Sequence, residues 1–226
     1  MSIARLSFDE GKGAKALDAS TEGLNNFGRL LGGATRTAGK FGQAVRLDGK
    51  DDVVNVRNSE DINRGTHTER TISMWFKADN AMAGQKQVLL EEGNSARGIN
   101  LVLEDGLLNF GSWDRPALKW QGDWASGGKV ASGKWNHVAL VLDGEATIKD
   151  NAITAYLNGQ QIGQTKGAQL LSHGARSLGN VSGNTRFDDG IGRNRSAGFD
   201  GSIDEVQVFN DALSAGDVKQ LAAGIA

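Results

Sequence analysis

Trp113, Trp120 and Trp124 crowd into one glycine-bounded stretch, 111–133, together with Asp114, Arg115, Asp123 and the sole proline, Pro116. Indole faces stack on the C–H surface of a sugar ring, while planar carboxylate and guanidinium groups read its hydroxyls. These residue types together supply the chemistry of saccharide binding. The stretch has little hydrophobic alternation and so reads as a long loop, and loops of that length are usually functional or disordered. The alternative is that the tryptophans cap an open end of the fold and the arginines pair with surface acids. Trp75 and Trp135 lie inside strand-like runs and read as core.

Catalytic sets are harder to find. The chain has no Gly-x-Ser-x-Gly string, and His67, His137 and His173 are isolated in sequence. Asp204 and Glu205 are adjacent, which on a regular strand sends them to opposite faces. With no cysteine, a disulfide framework, thiol catalysis and cysteine-ligated zinc are all excluded.

The elements that must position these groups are short strands. Period-two alternation or β-branched character marks 3–8, 44–47, 53–56, 70–77, 87–91, 99–104 and 107–110, then 135–143, 153–157, 160–165, 178–179 and 201–209. Asp105-Gly106 and Asn158-Gly159 fall between such runs, where a two-residue hairpin needs positive φ at both turn positions. One helix is expected, from Ser214 to Ala223, with Ser214 as its cap, Asp217 three residues on, and Val218 and Leu221 on one face.

A chain of 226 residues, 38% hydrophobic and with 32 glycines, can close a sandwich core as a single domain, 1–226. The net charge of −2 offers no general attraction to phosphate backbones or anionic lipid, so nucleic acid is not an expected partner. No apolar run is long enough to span a bilayer, so no direct membrane insertion is expected, and no leader follows Met1. Either the protein is cytosolic or it is a domain excised from a longer chain.

The order of segments resembles a known family. Ser7-Phe8-Asp9-Glu10-Gly11, Leu17-Asp18-Ala19-Ser20 and Gly39-Lys40-Phe41-Gly42-Gln43-Ala44-Val45 running into Leu47-Asp48-Gly49 are similar to the opening of a laminin-G-like, pentraxin-related domain. Arg70-Thr71-Ile72-Ser73-Met74-Trp75-Phe76-Lys77, Trp135-Asn136-His137-Val138-Ala139 and Tyr156-Leu157-Asn158-Gly159 resemble its middle, and Gly201-Ser202-Ile203-Asp204-Glu205-Val206 its closing strand. The resemblance implies an all-β, antiparallel two-sheet jelly-roll sandwich of the concanavalin A-like class with a short C-terminal helix. It also implies a secreted or cell-surface module, with His137 packed in the core.

Family members include lectins, adhesins and glucanases. Sandwich glucanases carry Glu-x-Asp-x-x-Glu on one strand, a string this chain lacks, and Tyr156 is its only tyrosine, which weakens a lyase reading. The expected function is therefore non-catalytic binding of a glycan or polysaccharide; the alternatives are a protein ligand held by a spacer domain, then a polysaccharide-degrading enzyme. The loop with Glu92, Arg97 and Asn100 stands where pentraxins place a ligand-side loop and is expected to join the tryptophans around the ligand, with His173, Asn184, Arg186 and Asp188 contributing from a neighbouring rim. Calcium (Ca2+) is the expected cofactor, with Asp9 or Asp18 joining Asp204 to tie the N-terminal segment to the last strand. Asp188-Asp189-Gly190 reads as a second ion site or a plain turn, and Arg193-Asn194-Arg195 stand where pentraxins carry calcium-binding acids.

Overall fold

The computed structural model describes residues 1–224. In chain order its strands are β1 (Ala4–Leu6), β2 (Lys15–Ala16), β3 (Gly28–Leu31), β4 (Thr35–Ala38), β5 (Gln43–Asp48) and β6 (Val53–Val56). β7 (Glu69–Ala78), β8 (Gln87–Gly93), β9 (Arg97–Glu104), β10 (Leu107–Asp114), β11 (Trp120–Lys129) and β12 (Asn136–Asp143) follow, with α1 (Arg115–Leu118) between β10 and β11. The chain closes with β13 (Lys149–Leu157), β14 (Gln160–Gly167), β15 (Arg176–Leu178), β16 (Asn184–Phe187), β17 (Gly190–Arg193), β18 (Asp200–Phe209) and α2 (Ala215–Ala222).

Alternation sorts these strands into two antiparallel sheets. Sheet I has the order β14-β13-β12-β7-β18-β5-β4, with β1 also pairing β18; sheet II has the order β11-β10-β9-β8-β15-β6-β3-β2. Ile72, Met74 and Phe76 of sheet I face Leu101, Leu103 and Phe110 of sheet II across one apolar core. Burying such side chains contributes roughly 1.5–3 kcal/mol each relative to exposure. β16 and β17 form a separate hairpin whose Phe187 packs with Val181 and Ala197 on Val88 and Val102, on the outer side of sheet II. This is the expected jelly-roll sandwich.

Both expected hairpins form. Asp105 and Gly106 take φ of 46° and 74°, and Asn158 and Gly159 take 53° and 77°, which turns β9 into β10 and β13 into β14. The expected helix forms too, with a capping box between Ser214 and Asp217; its Val218 packs on Ala139, Val141 and Tyr156, the outer side of sheet I.

Three local expectations need correction. The stretch 111–133 is not a loop: β10 extends to Asp114, α1 turns the chain, and β11 returns as the edge strand of sheet II. Ala125 packs on the core from this edge strand, but seven of the ten residues of β11 are half-buried and three exposed, so the strand shows no apolar alternation. Trp135 lies just outside β12, half-buried, with the Lys77 ammonium 5.4 Å from its ring, instead of in the core. Finally, Asp204 and Glu205 do not point to opposite faces. A bulge with Glu205 at φ 46° breaks the alternation of β18 and leaves both carboxylates on the outer side of sheet I.

Candidate functional site

The outer face of sheet II carries a single register row across all eight of its strands. Lys15 pairs with Arg29, Arg29 with Asn55, Asn55 with Ser177, and Ser177 with Glu91. Glu91 then pairs with Asn100, Asn100 with Gly111, and Gly111 with Trp124. At about 4.8 Å between strands the row is about 34 Å long. Residues two positions apart along a strand share a face, so Trp113, Asn109 and Arg57 also lie on this side.

At one end two indoles lie on a floor of glycines. Trp113 and Trp124 are nearly parallel, 16° apart with ring centroids separated by 6.1 Å. A Cβ on Gly111 or Gly122 would collide with Trp124, and one on Gly98 would sit 2.9 Å from Trp113 Cζ2. Trp113 is buried and donates from Nε1 to the Asn94 carbonyl at 2.8 Å, so the ring serves as a support. Trp124 is half-buried, and its Nε1, itself buried, has no partner among the described residues. Beside it a slit of about 10 Å³, room for one water, is lined by Lys86, Asn100, Asn109, Phe187 and Asp188.

Several polar groups of the row are buried without full satisfaction. Asn100 donates to the Arg186 carbonyl at 2.5 Å while its Oδ1 has no partner, and Asn55 Oδ1 has none. Glu91 is buried; one oxygen accepts from Ser177 Oγ at 3.2 Å and the other accepts nothing. Burial pushes its carboxyl well above the usual range, aided by the charge of Glu92. At the far end the row opens into a cleft of about 280 Å³ lined by Phe27, Arg29, Asn55, Arg57, Asn58 and Ala175.

The remaining expected ligand residues have other placements. Glu92 faces into the sandwich, fully buried, where Arg70 Nη1 donates at 2.5 Å, Arg176 Nε at 2.9 Å, and His173 Nε2 lies 3.0 Å away. Burial alone would raise this carboxyl; the Arg176 and Arg70 guanidiniums outweigh it and hold it well below the usual range. Glu92 and His173 therefore tie β7, β8 and β15 together inside the fold, away from any rim. Asp114 is also buried, capping α1 through Ala117 N at 3.0 Å and facing Arg97 at 3.6 Å. Arg115 and Asn184 are exposed and Trp120 is half-buried. Asp123 accepts from Thr165 Oγ1 at 2.8 Å and joins β11 to β14. Asp188 and Asp189 meet the Lys86 ammonium at 3.3 and 3.4 Å, so the acidic turn already has its cation.

The expected calcium ligands divide. Asp9 accepts from Gln43 N at 2.7 Å, and Asp204 from Lys40 N at 2.8 Å and Phe41 N at 3.0 Å, so both brace the 39–43 segment. Asp18 accepts from the Arg5, Ser20 and Asn26 amides and has no contact with that segment. Asp204 is buried without a lysine or arginine partner among the described residues, and burial pushes its carboxyl up to about 6 against its backbone donors. The acids that do cluster are Asp48, Asp51 and Asp52, and Arg195 Nη1 meets Asp51 at 3.1 Å.

Sheet I has a recess of its own beside α2, about 260 Å³, lined by Arg5, Phe41, Trp75, Glu205, Gln207 and Leu221. Trp75 stands edge-on to both Phe41 and His137; both it and His137 are buried, but on the outer side of sheet I beside α2 and not in the core between the sheets where they were expected. No helix among the described residues is long and apolar enough to cross a membrane.

Solved structures share this architecture at low identity. Domain 4 of AbnA, a GH43 extracellular arabinanase from Geobacillus stearothermophilus, solved in complex with arabinotriose, superposes with a TM-score of 0.70 at 20% identity, covering 98% of both chains. The binding domain of Paraclostridial Mosquitocidal Protein 1 gives 0.71 at 16% identity over 99% of this chain and 52% of that one. The botulinum neurotoxin serotype D ligand binding domain, solved with N-acetylneuraminic acid, gives 0.69 at 14% over 99% and 50%. The chain thus spans about half the length of the toxin domains it matches. No curated protein sequence matches it. The profile described as concanavalin A-like lectin/glucanases superfamily matches residues 48–219, and with its two-sheet jelly roll the chain belongs to that superfamily.

Proposed function

We propose that the chain is a non-catalytic saccharide-recognition module of a larger exported or surface protein, binding glycan at the β10–β11 end of the outer face of sheet II with Trp124 as its stacking platform. The carrying observation is the half-buried Trp124 indole laid on glycines, beside the half-buried Asn109 amide and the exposed Asp188 carboxylate. A flat apolar ring flanked by a few planar polar groups is the chemistry that sugar recognition uses. Arabinotriose in the complex of the AbnA domain supports saccharide as the ligand class.

Hydrolysis of a glycosidic bond calls for two carboxyls flanking it, about 5–9.5 Å apart. Glu91 is the carboxyl of the row, and the acid that perturbs it, Glu92, is on the opposite face and locked by two arginines. That arrangement supports binding without chemistry. A calcium ion held by Asp9 and Asp204 belongs to this proposal as a brace for the 39–43 segment, with Asp18 outside the donor set.

A glycan array and an arabinotriose titration, run with calcium and with chelator on the wild type and Trp124→Ala, test the reading. Trp124→Ala is expected to keep its fold and weaken binding about tenfold, the ~1.4 kcal/mol of one stacked ring. Chelation is expected to lower Tm and leave affinity intact, since an ion bound only by the folded state stabilises it by mass action. A blank array, or full affinity in the folded variant, overturns the assignment of Trp124.

A further inference from the structure

We propose that the far end of the same row, at β2, β3 and β6, is a subsite for an acidic sugar, one bearing a carboxylate or sulfate. This inference rests on the saccharide reading and names the ligand class that the row selects.

Lys15 and Arg29 stand directly opposite each other on neighbouring antiparallel strands. Like charges in that position repel and destabilise the pair. Both side chains are exposed, as is that of Arg57, and none of the three forms an ion pair among the described residues. The nearby acid Glu10 is committed to Arg36 at 2.6 Å. Phe27 sits between the cations: the Lys15 ammonium is 4.1 Å and the Arg29 guanidinium 5.7 Å from its ring centroid. Arg57 is held in place by the Leu24 and Asn25 carbonyls, at 2.7 and 3.3 Å.

The arrangement amounts to three uncompensated cations around Phe27: Arg29 and Arg57 line the 280 Å³ cleft with Phe27 and Asn55, and Lys15 lines the neighbouring recess that shares Phe27 and Arg29. Guanidinium forks bind carboxylate and sulfate oxygens in pairs, and the Phe27 ring holds the Lys15 ammonium and the Arg29 guanidinium in place over it. A neutral sugar would leave the Lys15–Arg29 repulsion in place, whereas an anionic one relieves it. The chain's net charge of −2 provides no general attraction for polyanions, so the preference resides in this patch and favours a saccharide over nucleic acid or lipid.

The test is calorimetric titration of the whole chain with an oligogalacturonide, a sulfated heparin tetrasaccharide, neutral arabinotriose, a short oligothymidylate and vesicles containing phosphatidylserine. The wild type, Trp124→Ala and the double variant Lys15→Gln/Arg29→Gln are compared at low and high salt. At least one acidic saccharide is expected to bind at least tenfold more tightly than arabinotriose at low salt, with the advantage shrinking as salt rises. The double variant should lose that advantage, keep its arabinotriose affinity and melt no lower than the wild type, because a repulsion has been removed. The oligogalacturonide and the heparin fragment separate carboxylate from sulfate.

Arabinotriose bound by the wild type and weakened in Trp124→Ala, with neither acidic sugar any tighter, overturns this inference and leaves the saccharide reading standing. No saccharide bound at all overturns both. An oligothymidylate or vesicle signal stronger than either acidic saccharide overturns the assignment to a sugar.

Discussion

Glu91 and Glu92 are neighbours on β8, both fully buried, and they lead opposite lives. Glu92 enters the sandwich and meets two guanidiniums and an imidazole. Glu91 turns outward into a row where its own oxygen, Asn100 Oδ1, Asn55 Oδ1 and Trp124 Nε1 are left without partners. A buried polar group without a hydrogen bond costs about 1–3 kcal/mol, so a fold keeps such groups where something else is served. Both sets keep buried atoms without partners among the described residues, Arg70 Nε and Arg176 Nη1 in the inner one, so what separates them is charge: a carboxylate clamped by two guanidiniums inside, and a lone buried carboxyl on the outer side.

The largest effect expected from this comparison is in stability. Glu92→Gln leaves Arg70 and Arg176 facing each other in the interior without their counter-charge. Breaking one partner from a buried ionic network costs about 3–5 kcal/mol, a fall in Tm of roughly 10 °C for a domain of this size. Saccharide affinity of the folded fraction is expected to stay at the wild-type value. A Glu92→Gln protein that melts normally but binds poorly would place Glu92 in the ligand site after all, and calorimetry on one sample reads both quantities.

Much of the scaffold was legible in the sequence, and the reason is locality. Apolar alternation in 70–77 and 99–104, the Asp-Gly and Asn-Gly turns, and the Ser214–Asp217 cap are each decided by a few neighbouring residues. β11 was hidden because an edge strand that packs tryptophans on glycines and sends little more than Ala125 to the core shows no apolar alternation. β4 and the β16–β17 hairpin pair only with their neighbours in sequence, but their short, polar strands lack an apolar periodic signal.

The site was legible only in its aromatic half. Trp124 and Asp188 do come to one slit, but Arg29, Asn55 and Glu91 reach the row from segments far apart in the chain, through a register that no local pattern encodes. The available hints were small: polar residues at outward positions of apolar strands, as in Val54-Asn55-Val56-Arg57 and Ile99-Asn100-Leu101. Glu92 and His173, expected from the family at a rim, are drawn inside because Arg70 and Arg176 need a buried anion between them.

The smallest expected effect is the most discriminating, because it concerns the residue next door. Burial raises the Glu91 carboxyl well above its ordinary value, so the folded state favours the protonated form. For a carboxyl whose folded pKa lies above its unfolded one, the associated stability is present at pH below the unfolded value of 4.5. It is lost as pH rises through the folded value. Glu91→Gln mimics the protonated form and can still accept from Ser177 Oγ. It is expected to change stability at pH 5 by less than about 1 kcal/mol, the usual range for a near-isosteric swap. It should then remove part of the wild type's loss of stability on going to pH 9, where Glu92→Gln shows no such recovery. Urea melts of the wild type and both variants at pH 5, 7 and 9 measure this directly. Equal penalties for the two glutamines at every pH would mean that Glu91 is as firmly compensated as Glu92, and the outer row would then be a structural network like the inner one.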